Sequence, residues 1–326
     1  MKNALRAYSM LGMFTSISRQ QAGVALITML LLVALLTAIV SRMALSSTIW
    51  MRQVGNISDL AQADQASRAA QFWLARLLEE DTNGFDAQTD TWAQAIPPVP
   101  FNGGEASAWI EDMQSRFNVN NLVNSEGKVD LEQREYFTRL LRILELDPAI
   151  SDAVADWIDR DSEVSGPRGA EEGYYLGQAT PYITANRPIQ EIAELRIVRG
   201  LHGEAYDRLA PHVTALPFKT TVNLNTASSV VLAAMVTAWG PAQQSLGQAQ
   251  RWSQRALLQP ATKMEDFIKH ALNDSGAQVP AILDISSAYF MAHIRISKDE
   301  REHRTAVLFY REQGRSDIIW HARELN

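Results

Sequence analysis

The seventeen residues from Val24 to Val40, VALITMLLLVALLTAIV, carry no charge. As a helix this run is about 26 Å long, close to the roughly 30 Å hydrocarbon core of a bilayer. Ala22, Gly23 and the stretch MALSSTIW beyond Arg42 complete the crossing if Arg42 snorkels to the interface. The only charges before the run are Lys2, Arg6 and Arg19, so the basic end is expected to stay in the cytoplasm. Everything after about residue 45 would then face the far side of a bacterial inner membrane, giving a single-pass protein with a large periplasmic domain.

Three kinds of processing are compatible with such a run. Ser41-Arg42-Met43-Ala44 offers a poor small-residue site for removing it as a secretory signal. It can also stay as an uncleaved anchor. The third possibility is cleavage ahead of the run, because Arg19-Gln20-Gln21-Ala22-Gly23-Val24 resembles a type IV prepilin leader junction. Gly23 would be the last leader residue, and a glycine, lacking a side chain, suits a close-fitting protease passage. Val24 would be the new N-terminus, and the apolar helix would remain as anchor and assembly stem.

Beyond the membrane the helical signal continues to about Glu80, with Leu60, Ala63, Ala66, Ala70, Trp73, Leu74 and Leu77 spaced for one stripe. Gly55-Asn56 is a candidate bend, and Asp81-Thr82-Asn83-Gly84 a stop. IPPVPFNGG marks an irregular connection, and Glu105 to Val119 reads as one or two short strands. Helices are expected at Leu131 to Leu146, with Leu131, Phe137, Leu140, Leu141 and Leu144 inward, and at Ile150 to Arg160, Ile189 to Ile197 and Ala205 to Leu209. Thr226 is expected to cap a helix through Val236, and a further helix before Leu272 must begin after Pro260. Strand character returns at Ala288 to Ser297, Thr305 to Arg311 and Asp317 to His321, with turns at Lys298-Asp299-Glu300-Arg301 and Glu312-Gln313-Gly314-Arg315. A long first helix, an early strand, a helical interruption and a late antiparallel sheet predict an α+β domain with a large helical insertion.

Several features in this order resemble the K-type minor pseudopilins of bacterial type II secretion, the general secretion pathway protein K family. They are Gly23-Val24 before the stem, Phe117-Asn118-Val119-Asn120-Asn121-Leu122, and Asp156-Trp157-Ile158-Asp159-Arg160-Asp161. Gly169-Ala170-Glu171-Glu172 before Tyr174-Tyr175, Pro181-Tyr182 with Asn186-Arg187-Pro188, and Val222-Asn223-Leu224-Asn225-Thr226-Ala227 complete the match. The resemblance implies a pilin-like fold, a long N-terminal helix and antiparallel sheet carrying an inserted SAM-like helical domain. Its parts would be a leader (1–23), the transmembrane part of the helix (24–42), the first part of the pilin-like domain (43–119), the inserted helical domain (120–214), a second helical section and return (215–280) and the C-terminal strands (281–326). It also implies cleavage by prepilin peptidase, methylation of Val24, and a place at the tip of the periplasmic pseudopilus. The implied partners are I-type and J-type minor pseudopilins, with an H-type subunit linking them to the shaft.

Mature position five is Thr28, where most pilins and pseudopilins place glutamate. A carboxylate there would neutralise the terminal amine of the preceding subunit, and a subunit with none ahead of it has no such need. Equally, a threonine is tolerated in a membrane helix when its hydroxyl bonds to a backbone carbonyl.

Chemistry is sparse. With no cysteine, thiolate zinc sites, disulfides and cysteine nucleophiles are excluded. Asp156, Asp159, Asp161, Glu163, Glu171 and Glu172 form the densest acidic group, in a turn-rich segment where flexible oxygen ligands suit calcium. The spacing is not that of an EF-hand, but the family resemblance implies calcium in the insertion, and Asp159, Asp161, Glu171 and Glu172 are the first candidates among these carboxylates for its ligands. Asp156 and Asp159 as a hydrolytic carboxylate pair would make this a membrane-anchored periplasmic hydrolase; capping and surface charge explain the pair as readily. His202 and His212 lie in no metal-ligand spacing, and there is no GxSxG or phosphate-binding glycine loop. The segment around Asn223-Leu224-Asn225 looks like a helix-hairpin-helix, but net charge −7 and the lack of a basic cluster argue against nucleic acid. An assembly component, not an enzyme, is expected.

Overall fold

The computed structural model describes residues 19–101, 104–272, 278–298 and 301–324. The first helix, α1, runs unbroken from Arg19 to Glu80, 62 residues. It is therefore not interrupted at Gly55-Asn56: a glycine lowers helix propensity without removing a backbone hydrogen bond. Lys2 and Arg6 lie outside the described residues, as do Asp299 and Glu300 of the expected turn. The helix has an 18-residue window of mean hydropathy 2.8 with none of it buried, long and apolar enough to cross a membrane. Thr28, Thr37 and Thr48 each return their hydroxyl to the preceding turn, Thr28 to the Ala25 carbonyl at 2.9 Å. No unpaired polar group is thereby offered to lipid at these three positions.

The described residues fall into two units that divide between Asp64 and Gln65. In the second, the C-terminal part of α1 lies against a sheet. Ser67 donates to the Thr305 hydroxyl, and Arg311 reaches the Leu78 carbonyl. Ala66, Ser67, Leu74 and Leu78 are buried and Trp73 is exposed, so the apolar stripe is rotated from the expected one.

The five-stranded sheet is antiparallel throughout, two strands from the early chain followed in order by three from its end. Its first two strands are β1 (Val99–Phe101), inside the expected irregular connection, and β2 (Gly104–Asp112). The other three come from the end of the chain and are given below. Between them, β3 (Phe117–Asn118), α2 (Leu131–Ile143), α3 (Ile150–Ile158), α4 (Glu172–Leu176), α5 (Glu204–Leu209) and β4 (Val213–Thr214) are followed by β5 (Val222–Asn223), α6 (Ser229–Met235), α7 (Ala242–Ala256), α8 (Met264–Ala271) and β6 (Leu283–Asp284). Then come β7 (Tyr289–Lys298), β8 (Arg301–Glu312) and β9 (Arg315–Glu324). Alternation sets the sheet's inner face: Ala108 and Ile110 on β2, Ala292, Ile294 and Ile296 on β7, and Val307 and Phe309 on β8 are all buried.

The helical region shares one core from Phe117 to Leu283. Phe137, Leu140 and Leu141 are buried as expected, but Leu131 is exposed because it opens α2 directly after the Asp130 cap. Ile192–Ile197 is a 3-10 helix, and α7 was not expected at all. Its pattern of alanine, glutamine and serine hides a buried stripe of Ala249, Trp252 and Ala256. Ser228, not Thr226, caps α6, by accepting from the Val231 amide. Thr226 instead donates to the buried Asp112 carboxylate at 2.5 Å.

The asparagines of the two N-rich motifs explain how the insertion is pinned. Each Asn side chain carries a donor and an acceptor side by side, like one rung of a β-ladder. Asn120 accepts from the Ile189 amide and donates to its carbonyl, both at 2.8 Å. Asn121 does the same to Thr220, and Asn225 to Ala261. Asn118 accepts from the Leu216 amide and donates to the Phe218 carbonyl. All four are buried. The chain entering at β3 thus lies beside the chain leaving at β4, in parallel register Phe117 to Val213. Asn120→Ala leaves two buried backbone groups of Ile189 unpaired and is expected to destabilise by about 2–3 kcal/mol. Denaturant unfolding followed by tryptophan fluorescence checks this, and a loss below about 0.5 kcal/mol would contradict the pinning role.

Candidate metal centre

The acidic loop is built from the last turn of α3. Asp156 is fully buried and organises the loop: one carboxylate oxygen accepts from the Ser165 amide at 2.9 Å, the other from the Ala170 amide at 2.8 Å. A Cβ at Gly169 would collide with that carboxylate, so the close return of the chain requires glycine there. Asp156 is consequently a strut, with both oxygens in use, and it forms no hydrolytic pair with Asp159.

Asp159 caps the C-terminal end of α3 in an extended conformation, and Glu171 sits just before α4. The fold brings these two and Asp161 together, with one carboxylate oxygen of each within 4.8 Å of the others. Asp159 and Glu171 are buried, 1% and 7% exposed, while Asp161 is exposed. Glu171 has both oxygens, and Asp159 one, buried without any hydrogen-bond donor. Such groups are costly to desolvate unless something positive satisfies them. Burial, reinforced by Asp161 and Asp156, pushes the Asp159 carboxyl up to about 7. Burial followed by Asp156, Asp159 and Asp161 does the same for Glu171, also to about 7.

Glu172 stands outside this convergence. It is the first residue of α4 and is exposed. Sequence reasoning did not select Asn186, which donates to the Asp161 carbonyl at 3.2 Å and whose own side-chain oxygen is buried without a donor. Its backbone is left-handed, φ 44°, a conformation that asparagine is among the few residues to adopt readily, and no sequence pattern marked it as a ligand. Behind the loop Trp157 and Tyr175 meet edge to face at 5.1 Å, and Tyr182 packs on Tyr175 at 5.1 Å. The donor set is all hard oxygen with unequal burial, which fits calcium or magnesium better than a transition metal.

A second carboxylate group, Asp81, Asp86 and Asp90, also converges within 4.8 Å. It is already compensated. The Arg311 guanidinium bonds both oxygens of Asp86 at 2.6 Å and reaches Asp81 at 3.3 Å, and Asp90 accepts from the Ala87 amide. His202 faces the Arg196 carbonyl, and burial lowers the pKa of His212.

Residues 115–218 match the family model described as type II secretion system (T2SS), protein K. Among curated proteins, the chain is 33% identical over 297 residues to the type II secretion system protein K of Pseudomonas aeruginosa, covering 87% of this chain and 86% of that one. It is 30% identical over 334 residues to the protein of the same name from Aeromonas hydrophila, covering 94% and 98%. Among solved structures, it matches a chain of the GspK-GspI-GspJ complex from the enterotoxigenic Escherichia coli type 2 secretion system. The TM-score is 0.68 and the identity 23%, over 84% of this chain and 100% of the other, a likeness of fold.

Proposed function

Because the chain belongs to the type II secretion system protein K family, a family of non-catalytic minor pseudopilins, we propose that it caps and helps initiate the periplasmic pseudopilus, held in the inner membrane by α1. The observation that carries this is the form of α1: a fully exposed apolar stem at one end and, at the other, a helix lying against an antiparallel sheet. The stem packs among those of partner subunits, while the head confers selectivity. Its expected partners are I-type and J-type minor pseudopilins, with an H-type subunit joining them to the shaft. The head is read as a pilin-like domain of residues 43–119 and 281–326, interrupted by a SAM-like helical insertion at 120–214 and a second helical section at 215–280. Prepilin peptidase cuts between Gly23 and Val24, and Val24 is then methylated. Thr28 is uncharged and satisfied within its own helix, which suits a subunit with no terminal amine ahead of it to neutralise.

Asp159, Asp161 and Glu171, with the side-chain oxygen of Asn186, would hold a calcium ion, and Glu172 adds charge at the rim. The orphaned carboxylate oxygens support this reading. Calcium supplies charge compensation and cross-links the loop to α3; it performs no chemistry.

Intact mass and N-terminal peptide sequencing of the protein from its native membranes test the assembly reading. A 303-residue chain starting at Val24, present only with prepilin peptidase, is expected. Retention of Met1 with and without the peptidase would make it an ordinary anchor, and a start beyond Val40 a secreted soluble protein.

A further inference from the structure

The two edges of the sheet are unlike. The edge formed by β1 is three residues long and contains Pro100, which has no amide to donate. Short length and proline are both devices that keep an edge from pairing with another chain. The opposite edge, β9, is ten residues long, contains no proline and pairs with β8 alone among the described residues. Ser316, at its start, gives its amide to the Glu79 carboxylate. From Asp317 to Arg323 the outer side of the strand has no such covering among the described residues.

The side chains point the same way. The pairing of β9 with β8 shifts register between Leu308 and Phe309, whose partners are Trp320 and Ile318, so Ile319 is the extra residue of a bulge. Ile318, Ile319 and Trp320 are consecutive and each more than 40% exposed. A bulge can itself twist an edge away from a partner, but the bulge here carries no charged residue. Here an apolar tripeptide is presented beside open backbone.

We infer that β9 is a docking edge for an extended, predominantly apolar strand of a neighbouring pseudopilin subunit, added to the sheet through main-chain hydrogen bonds. This deepens the assembly reading and rests on it. In such strand addition, backbone bonds provide the affinity and alternating side-chain contacts the specificity. The occupant is a different chain and not a second copy. An antiparallel self-pairing centred on Ile319 would set Arg315 opposite Arg323 twice, and like charges directly opposite destabilise a pair. The solved relative in fold also stands in a complex with two other proteins.

Because the chain has no cysteine, single cysteines carrying a benzophenone maleimide report neighbours without background. The full-length chain would be assembled in membranes with the I-type and J-type subunits of its own system. Ile319→Cys is expected to give a photo-adduct with one of them, whereas Val99→Cys, on the blocked edge, gives none. Hydrogen exchange on the unsubstituted complex should slow at least tenfold at amides between Asp317 and Arg323. Normal complex formation with unchanged exchange there, or an Ile319→Cys adduct only with a second copy, overturns the docking edge and leaves the assembly reading standing. If the unsubstituted chain forms no complex at all, the assembly reading falls and the docking edge with it.

Discussion

Arg311→Met is expected to lower the thermal unfolding midpoint by about 10 °C at pH 8, and by distinctly less at pH 5. Arg311 is nearly buried on β8, its guanidinium over the Phe290 ring at 4.6 Å. It bonds Asp86, Asp81 and the carbonyls of Leu78 and Ser287. Removing one partner of a buried pair costs about 3–5 kcal/mol because the other charge stays behind uncompensated, and each kcal/mol moves the midpoint by about 2–4 °C in a body of this size. The pH dependence follows from Asp86, whose carboxyl burial raises to about 6 despite the opposing pull of Arg311. A carboxyl with a raised folded pKa contributes its stability fully below its unfolded pKa and loses it as pH rises through about 6. At pH 5 the orphaned Asp86 can protonate; at pH 8 it must stay charged or unfold the site. Circular dichroism melts at the two pH values decide the matter, and an equal loss at both would mean that Arg311 acts by packing alone.

Calcium is expected to raise the unfolding midpoint of the full-length chain by about 5–10 °C at one hundred times its dissociation constant. At a fixed calcium concentration the gain should be larger at pH 8 than at pH 6. Mass action at that concentration supplies about 2.7 kcal/mol. Without the ion, Asp159 and Glu171 titrate near 7 in the folded chain. Both are raised, so their contribution is complete below their unfolded pKa and is lost as pH rises through about 7. A metal requires both ionised, so it competes with protons below 7 and binds more tightly above it. Glu171→Gln should abolish most of the gain while Glu172→Gln, at an exposed position, should leave it nearly intact. Chelation that leaves the melt unchanged at pH 8 would remove calcium from this loop.

The acidic loop shows how far residue spacing reaches. Asp159, Asp161 and Glu171 could be picked out by density and by resemblance, yet adjacency in sequence made Glu172 look equivalent to Glu171. The first turn of α4 separates them, burying one and exposing the other. Asp156 belonged to the same acidic run, but only the path of residues 160–170 shows both its oxygens bonded to amides. The Asp81, Asp86 and Asp90 group was missed because its compensating cation, Arg311, lies more than 200 positions away. No local pattern can anticipate such a pairing.

The apolar run was legible from its unbroken composition, and α2, α3 and the three late strands from an apolar residue repeated at the spacing of their own backbone. The missed α7 lacks that contrast, since its buried face is largely alanine and serine. Thr226 and the N-rich motifs stood out as motifs, but not for what they bond. Sequence by itself determined the membrane stem and the α+β order, which depend on composition and local periodicity, and pointed to the family through short motifs that recur in a fixed order along the chain. Only the tertiary structure decided which carboxylates converge, which asparagines pin the insertion and which sheet edge stays open. Those properties are contacts between residues far apart in sequence, and their energies depend on burial that exists only once the chain has folded.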